Sequence, residues 1–529
     1  MIILLDTTLR DGAQAEGVTF SLDDKHQITR ALDEFGIALI EGGNPAANPK
    51  DAAYFSSQLQ KPPLRHSQLV AFGATAKPGT DPSQDAALQA LASCGAKTVS
   101  IFGKASLMHV EHVLRCSPEE NLRTIRDSVR YLCTNGLRVI FDAEHFFDGF
   151  SENRDYALAA LSAAAEGGAW CLTLCDTNGG ALPEDVYAAT ELVCNQFRQM
   201  IGIHCHNDCG LAVACSLAAV RAGAGLVQGT INGVGERCGN ADLCTLIPLL
   251  EMKLGRQCLP NGNLQMLTHT SRLIAEIMNV SPPDRAPFVG NSAFTHKGGM
   301  HIDGVIKNAS TFEQIRPESV GNQRRFLVSD QAGRAGVYAR LSHIIPDINR
   351  DSDDMRRIIE RLKRREAHGY TYENADGSFA LLALDTLGRR PKFFHVTDFH
   401  VLCHQQQNIA DAHKSAQAYV KVLVNEREGI NAAEGDGPVN ALDIALRKTL
   451  SDFYPCLNRM RLQDFKVRVL DTGGTASTVR VSIESTDGIH QWNTVGVSTN
   501  IIHACFKALI DSLDYMLIYY SDDEKYTMM

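Results

Sequence analysis

One aspartate and two histidines, far apart in the chain, have the types and spacing of a single metal site. Asp11 lies in DTTLRDG (6–12), and His204 and His206 lie in IGIHCHNDCG (201–210). An H-x-H pattern on a strand turns both imidazoles to one face, because side chains alternate with period two. A carboxylate added to two imidazoles makes a facial triad that leaves positions open to a substrate. The plainer interpretation, two half-buried histidines in an edge strand, is weakened by their pairing on one face and by Asn207 and Asp208 just after them. Asp11 alone reads equally as a helix cap at a D-G turn. Its neighbour Arg10 offers a planar fork suited to a carboxylate or an enolate-like oxygen. Cys205 alternates to the opposite face and is assigned to packing between strand and helix.

These residues need a frame that brings position 11 to positions 204 and 206. Short apolar, β-branched segments recur at 2–5, 37–40, 68–72, 97–102, 138–141, 171–174, 201–204 and 226–231, with helical stretches such as 23–35 and 121–134 between them. Eight strands alternating with helices predict a TIM (β/α)8 barrel of roughly 250 residues, here 1–265. Active sites of such barrels sit on the loops after the strand C-terminal ends. The polar residues obey that rule. Strand one leads into Asp6, Arg10 and Asp11, strand two into Glu41, strand five into Asp142 and Glu144, and strand six into Asp176 and Thr177. Strand seven carries the histidines, and strand eight leads into NGVGERCGN (232–240). Glu144 reads equally as a salt-bridged rim carboxylate, and GVGERCGN as a tight turn or a weak phosphate cradle. Cys238 has no base beside it in sequence. His301, in GGMHIDG (298–304), sits between what read as turn glycines.

After the barrel the composition changes. Pro282, Pro283, Pro287 and the glycines around Gly298 mark a linker, and RRIIERLKRRE within 351–366 marks a charged helix, so 266–390 reads as helical linker subdomains. Residues 391–529 predict an α+β domain with internal duplication. FHVLCHQ (399–405), AYVKVLVN (418–425) and ALDIALRKTL (441–450) are echoed by FKVRVLD (465–471), STVRVSIE (477–484) and HACFKALIDSL (503–513), a repeat of roughly sixty residues. AAEGDGPVN (432–440) reads as a Gly-rich link, and the pair could hold a small effector between its halves.

With 529 residues the chain predicts two or three domains. A net charge of -10 and a pI near 6.0 give no basic field for nucleic acid, and no apolar run is long enough for a bilayer. MIILL stops at Asp6 with no basic region or cleavage site, so the expected compartment is the cytosol. The fifteen cysteines are scattered and read as reduced, with no disulfides.

DTTLRDG, the H-x-H strand and GERCGN together resemble the barrel shared by isopropylmalate, homocitrate and citramalate synthases and by hydroxymethylglutaryl-CoA lyases. HKGGMHIDGV, YENADGSFALL (372–382), EGDGPVNALD, WNTVGVSTNIIHA and EGGNPAANPKD (41–51) are most similar to the synthases, and to the long citramalate synthase subgroup. That resemblance implies a metal-dependent, Claisen-type acyl transfer from acetyl-CoA to pyruvate, in isoleucine biosynthesis. It implies that Asp11, His204 and His206, with Asn240 as a further ligand or neighbour, hold a divalent ion such as Mn, Mg or Zn. Arg10 would polarise the 2-oxo group, Glu144 would be the barrel's catalytic glutamate, and Asp142 and Thr177 would line the keto-acid pocket. His301 would complete the site of a neighbouring subunit in a homodimer, and the C-terminal domain would take an amino-acid effector, isoleucine. Phe312 stands where these enzymes often carry a tyrosine, which removes a phenolic proton donor there. Alternatives are a 2-isopropylmalate synthase using 2-oxoisovalerate, a retro-aldol lyase of the same barrel, and a binding protein that has lost catalysis.

Overall fold

The computed structural model describes residues 1–327, 334–403, 416–471, 474, 477–488 and 490–520. They form two compact units, Met1–Phe294 with Ile315–Gln323, and Thr295–Gln314 with Arg324–Met529. The first unit is a closed parallel barrel in sequential order: β1 (Ile3–Asp6), β2 (Leu39–Gly43), β3 (Gln68–Ala74), β4 (Thr98–Lys104), β5 (Arg138–Glu144), β6 (Cys171–Asp176), β7 (Met200–Cys205) and β8 (Leu226–Gly229), which pairs back to β1. Such strands are covered on both faces, which is why they read as short apolar runs and not as alternating patterns. Seven of the eight run one to three residues beyond the apolar segment that announces them. In β1, β5 and β6 the added residues include Asp6, Asp142, Glu144 and Asp176, which are polar in side chain but still belong to the strands. β8 is shorter than expected because Thr230 leaves the sheet and bridges to Asp242.

The intervening helices start and stop on local signals. Helix Leu22–Phe35 opens on a Ser21–Asp24 capping box and closes at Gly36, whose φ of 99° only glycine adopts without strain. Helix Leu267–Ile277 buries Leu267 and Ile274 in the barrel unit's core.

In the second unit, β9 (Thr295–His296) pairs in parallel with β10 (Arg325–Phe326). Helices Arg334–Ile344, Asp353–Ala367 and Asp376–Thr386 share a core that includes Leu341, Met355, Ile358, Leu362 and Phe379. Two βββα modules follow. β11 (His395–Cys403), β12 (Ala416–Val424) and β13 (Arg427–Gly435) precede helix Pro438–Ser451, and β14 (Arg461–Val469), β15 (Val479–Thr486) and β16 (Gln491–Ser498) precede helix Ile501–Tyr519. The duplication extends to an irregularity, since the register slips between Val396 and Asp398 in one module and between Leu462 and Asp464 in the other.

Two expectations are corrected. The first part of AAEGDGPVN is not a link: Ala432–Gly435 finish β13, which is mostly polar or small in side chain and is held to β12 by backbone pairing. GGMHIDG is not a turn either, because Gly299 opens helix Gly299–Lys307 and His301 lies in its first turn. His404 and Gln405 of the expected first strand lie outside the described residues. Among the described residues no helix is long and apolar enough to cross a membrane.

Candidate active site

The C-terminal ends of β1 and β7 bring Asp11, His204 and His206 together, with one ligand atom from each lying within 4.8 Å of the others. Asp11 Oδ2 is 3.8 Å from His204 Nε2 and 4.0 Å from His206 Nε2. Those separations are too long for hydrogen bonds, so the three buried polar groups are not satisfied by one another. Asn240 donates from Nδ2 to Asp11 Oδ1 at 2.9 Å, while its own Oδ1 is buried without a hydrogen-bond partner. His206 reaches the cluster just past the end of β7, through an isolated bridge to Asn240.

The electrostatics suit a cation. Burial works to raise the Asp11 pKa, but Arg10, then the two histidines and Asn240, bring it down to about 2. His204 is pushed down to about 3, first by burial and then by His206, and burial lowers His206 as well. One ionised carboxylate and two neutral imidazoles with free lone pairs is the donor set that a divalent ion takes, so the residues fit one.

Arg10 organises the floor beside them. Its Nε donates to Glu41 Oε2 at 2.6 Å and its Nη1 to Asp11 Oδ2 at 3.1 Å, while its guanidinium carbon lies 3.9 Å from the centre of the Phe72 ring. Burial opposes the cation, but Glu41 and Asp11 outweigh that and hold Arg10 charged. Glu41, fully buried, is raised to about 7 by desolvation against the pull of Arg10. Asp6 is likewise raised to about 7 by burial, despite accepting from the Thr8 amide at 3.0 Å and hydroxyl at 2.9 Å. Burial also raises Asp142, which accepts from Ser100 Oγ at 2.5 Å and Gln228 Nε2 at 2.8 Å. Asp11 is thus the carboxylate of this floor that stays firmly ionised.

The other expected residues are placed less centrally. Glu144 ends β5 paired with Lys104 from the end of β4. The Thr177 hydroxyl accepts from the His145 amide at 2.9 Å and its carbonyl from Arg237 Nη2 at 2.7 Å. Arg237 also grips Asp208 through Nε at 2.8 Å and Nη2 at 2.9 Å, which fastens the GERCGN loop to the end of β7. Cys205 is fully buried and Cys238 is exposed. His301 belongs to the second unit, where its exposed ring stacks on Phe312 with centroids 4.3 Å apart. Phe72, Lys104 and the His145–Asp148 pair went unseen in the sequence, although the strand-end rule applied to β3 and β4 would have found the first two.

Gly235 is where the loop comes closest to the triad. A Cβ there would stand 2.1 Å from Asn240 Nδ2 and 3.1 Å from Asp11 Oδ1. Asn240 is only 1% exposed and cannot swing aside. Gly235→Ala is therefore expected to twist the Asn240–Asp11 bond and weaken divalent-ion affinity about 10- to 100-fold, the effect of disturbing a ligand's own hydrogen bond. Titration of Mn2+ into the variant checks this; wild-type affinity would show that Asn240 does not set the Asp11 carboxylate.

Comparison with known proteins agrees with this architecture. Residues 1–274 match the HMGL-like family, 288–369 the homocitrate synthase post-HMGL domain-like family, and 373–517 the LeuA allosteric (dimerisation) domain. The chain is 48% identical over 524 residues to the (R)-citramalate synthase of Synechocystis sp., covering 97% of this chain and 96% of that one. It is 46% identical over 526 residues to the (R)-citramalate synthase of Aquifex aeolicus, covering 99% of each. A probable 2-isopropylmalate synthase of Methanopyrus kandleri is 32% identical over 512 residues, covering 96% of each. With a barrel whose rim carries Asp11, His204, His206 and Arg10, and with relatives of this similarity from end to end, the chain belongs to the family of the (R)-citramalate synthases.

Proposed function

We propose that this protein condenses acetyl-CoA with pyruvate to give citramalate and CoA, an acyl transfer in which the acetyl group becomes an alkyl substituent. The observation that carries the reading is the Asp11–His204–His206 triad next to a charged Arg10, in a chain that matches citramalate synthases along its whole length. Asp11, His204 and His206 would hold the divalent ion, with Asn240 fixing Asp11. A divalent ion bound there supplies a Lewis acid for the 2-oxo group. Asp11 alone nearly balances Arg10, so a bound cation leaves the floor positive, which suits the carboxylate of a 2-oxo acid.

Arg10 donates to the oxygen that becomes an alkoxide as the new carbon–carbon bond forms. Glu144, paired with Lys104, takes a proton from the acetyl methyl group. Asp142 and Thr177 line the acceptor's pocket. His301 acts in proton transfer at the site of a second subunit in a homodimer, where Phe312 supplies no hydroxyl. By function the chain divides into a catalytic part (1–265), a linking part (266–390) and a regulatory part (391–529). The duplicated βββα domain takes isoleucine as effector, and the protein works in the cytoplasm.

Thiol release measured across a panel of 2-oxo acids tests the reading. Release is expected only when acetyl-CoA and the keto acid are both present, with pyruvate preferred about tenfold or more over 2-oxobutyrate and 2-oxoisovalerate, since one methylene in a fitted pocket is worth about 1–3 kcal/mol. A preference for 2-oxoisovalerate would make the enzyme a 2-isopropylmalate synthase. Cleavage of a hydroxyacyl-CoA with no condensation would make it a lyase.

A further inference from the structure

We propose that His145, oriented by Asp148, is a further catalytic residue: the base that activates water to cleave the citramalyl thioester after condensation. The inference rests on the reading of the site as a citramalate synthase. His145 is the first residue beyond β5, directly after Glu144, so it stands at the catalytic rim. Its Nδ1 lies 3.1 Å from Asp148 Oδ2, and the same oxygen accepts from Asn178 Nδ2 at 2.9 Å. A carboxylate only accepts, so Nδ1 carries a proton, and the lone pair available for a base is the one on Nε2. No described residue forms a hydrogen bond to that Nε2. An imidazole with one nitrogen tied to a carboxylate and the other bare is the arrangement of a general base.

The ring's position is fixed by two further contacts and by its backbone. His109 stacks on it with centroids 3.7 Å apart and planes 17° from parallel. The His145 amide donates to Thr177 Oγ1 at 2.9 Å, which ties the ring's backbone to the end of β6. Its φ of 58° is in the left-handed region, where a non-glycine residue is strained and where strain concentrates at working sites. Glu144 is already paired with Lys104, so the two neighbours have different partners and suit different proton transfers. Beside the ring, Asp148 also lines a groove of about 590 Å3 together with Phe147, Phe150, Arg154, Asp176 and Asp185.

In the step, His145 Nε2 takes a proton from water as the water oxygen bonds to the thioester carbonyl carbon. Collapse of the tetrahedral adduct breaks the carbon–sulfur bond. The imidazolium returns its proton to the departing CoA thiolate, and the oxygen from water remains in the new carboxyl group of citramalate.

His145→Asn is the decisive variant, because asparagine accepts left-handed backbone but cannot act as a base. It is expected to lower steady-state thiol release about 100-fold, with the apparent KM for pyruvate falling as hydrolysis becomes the limiting step. Rapid quenching with mass spectrometry should then find citramalyl-CoA, and added citramalyl-CoA should be hydrolysed about 100-fold more slowly than by the wild type. Asp148→Asn, which only loosens the ring, should slow that hydrolysis about tenfold, and it decides the matter if His145→Asn does not fold. Wild-type hydrolysis of citramalyl-CoA by these variants, or failure of His145→Asn to form citramalyl-CoA at all, would overturn the proposal. If the wild type itself makes no citramalate from acetyl-CoA and pyruvate, it is the underlying reading that fails.

Discussion

His204→Ala is expected to reduce thiol release by at least about 1000-fold while leaving the barrel folded. The loss follows from the Lewis acid that the triad would hold, since polarising a carbonyl is worth several kcal/mol of barrier and about 1.4 kcal/mol is a factor of ten. Retention of the fold follows from the state of the side chain. His204 is pushed down to about 3, by burial first and then by His206, so its removal at neutral pH takes away no charge and leaves no ion unpaired. Truncation at the open end of β7 should cost about 1–3 kcal/mol of stability, visible as a small shift of the thermal midpoint. Calorimetric titration with Mn2+ separates the two effects: binding should weaken severely while circular dichroism stays unchanged. Cys205→Ala is the control from the same strand, because that side chain is fully buried on the other face and should leave metal binding untouched. Wild-type turnover by His204→Ala, after chelation and metal repletion, would remove the proposed ligand set.

The barrel was legible because its grammar is local. Each strand is a short apolar run bounded by turn residues, and several helices carry their own cap, as Ser21 and Gly36 announce helix Leu22–Phe35 without reference to the rest of the chain. The triad was legible for a related reason, since period-two alternation places His204 and His206 together and the barrel rule supplies the distant Asp11. What escaped were features that depend on partners across the fold. β13 has almost no apolar signature, and its strand character comes from backbone bonds to β12. Lys104 looks like an ordinary surface lysine until Glu144 stands opposite it. His145 lay in plain view beside Glu144, but only the folded turn brings Asp148 and Asn178 to one side of its ring and His109 onto its face.

Arg10 poses a sharper test, because its removal should harm the chemistry and the floor in ways that can be separated. Arg10→Gln should lower turnover about 100- to 1000-fold, the usual cost of losing a donor aimed at a developing oxyanion. It also strips Glu41 of the cation that opposes its desolvation. Glu41 is already raised to about 7 against a reference of 4.5, so the folded state keeps a proton that the unfolded chain releases. Its contribution to stability is therefore undiminished below about pH 4.5 and falls as pH climbs toward 7. Without Arg10 that falling stretch should extend to higher pH, and the thermal midpoint of Arg10→Gln should drop more steeply than that of the wild type between pH 5 and 8. The double variant Arg10→Gln with Glu41→Gln removes the titrating group, so its midpoint should lose this extra slope while its turnover stays as low as the single variant's. Arg10→Lys keeps a charge but not the fork that reaches Glu41 and Asp11 together, and should fall between the two in both measurements. Should the double variant instead regain turnover, Arg10 would serve only to neutralise Glu41, and the oxygen formed in the condensation would have to find its donor elsewhere on the rim.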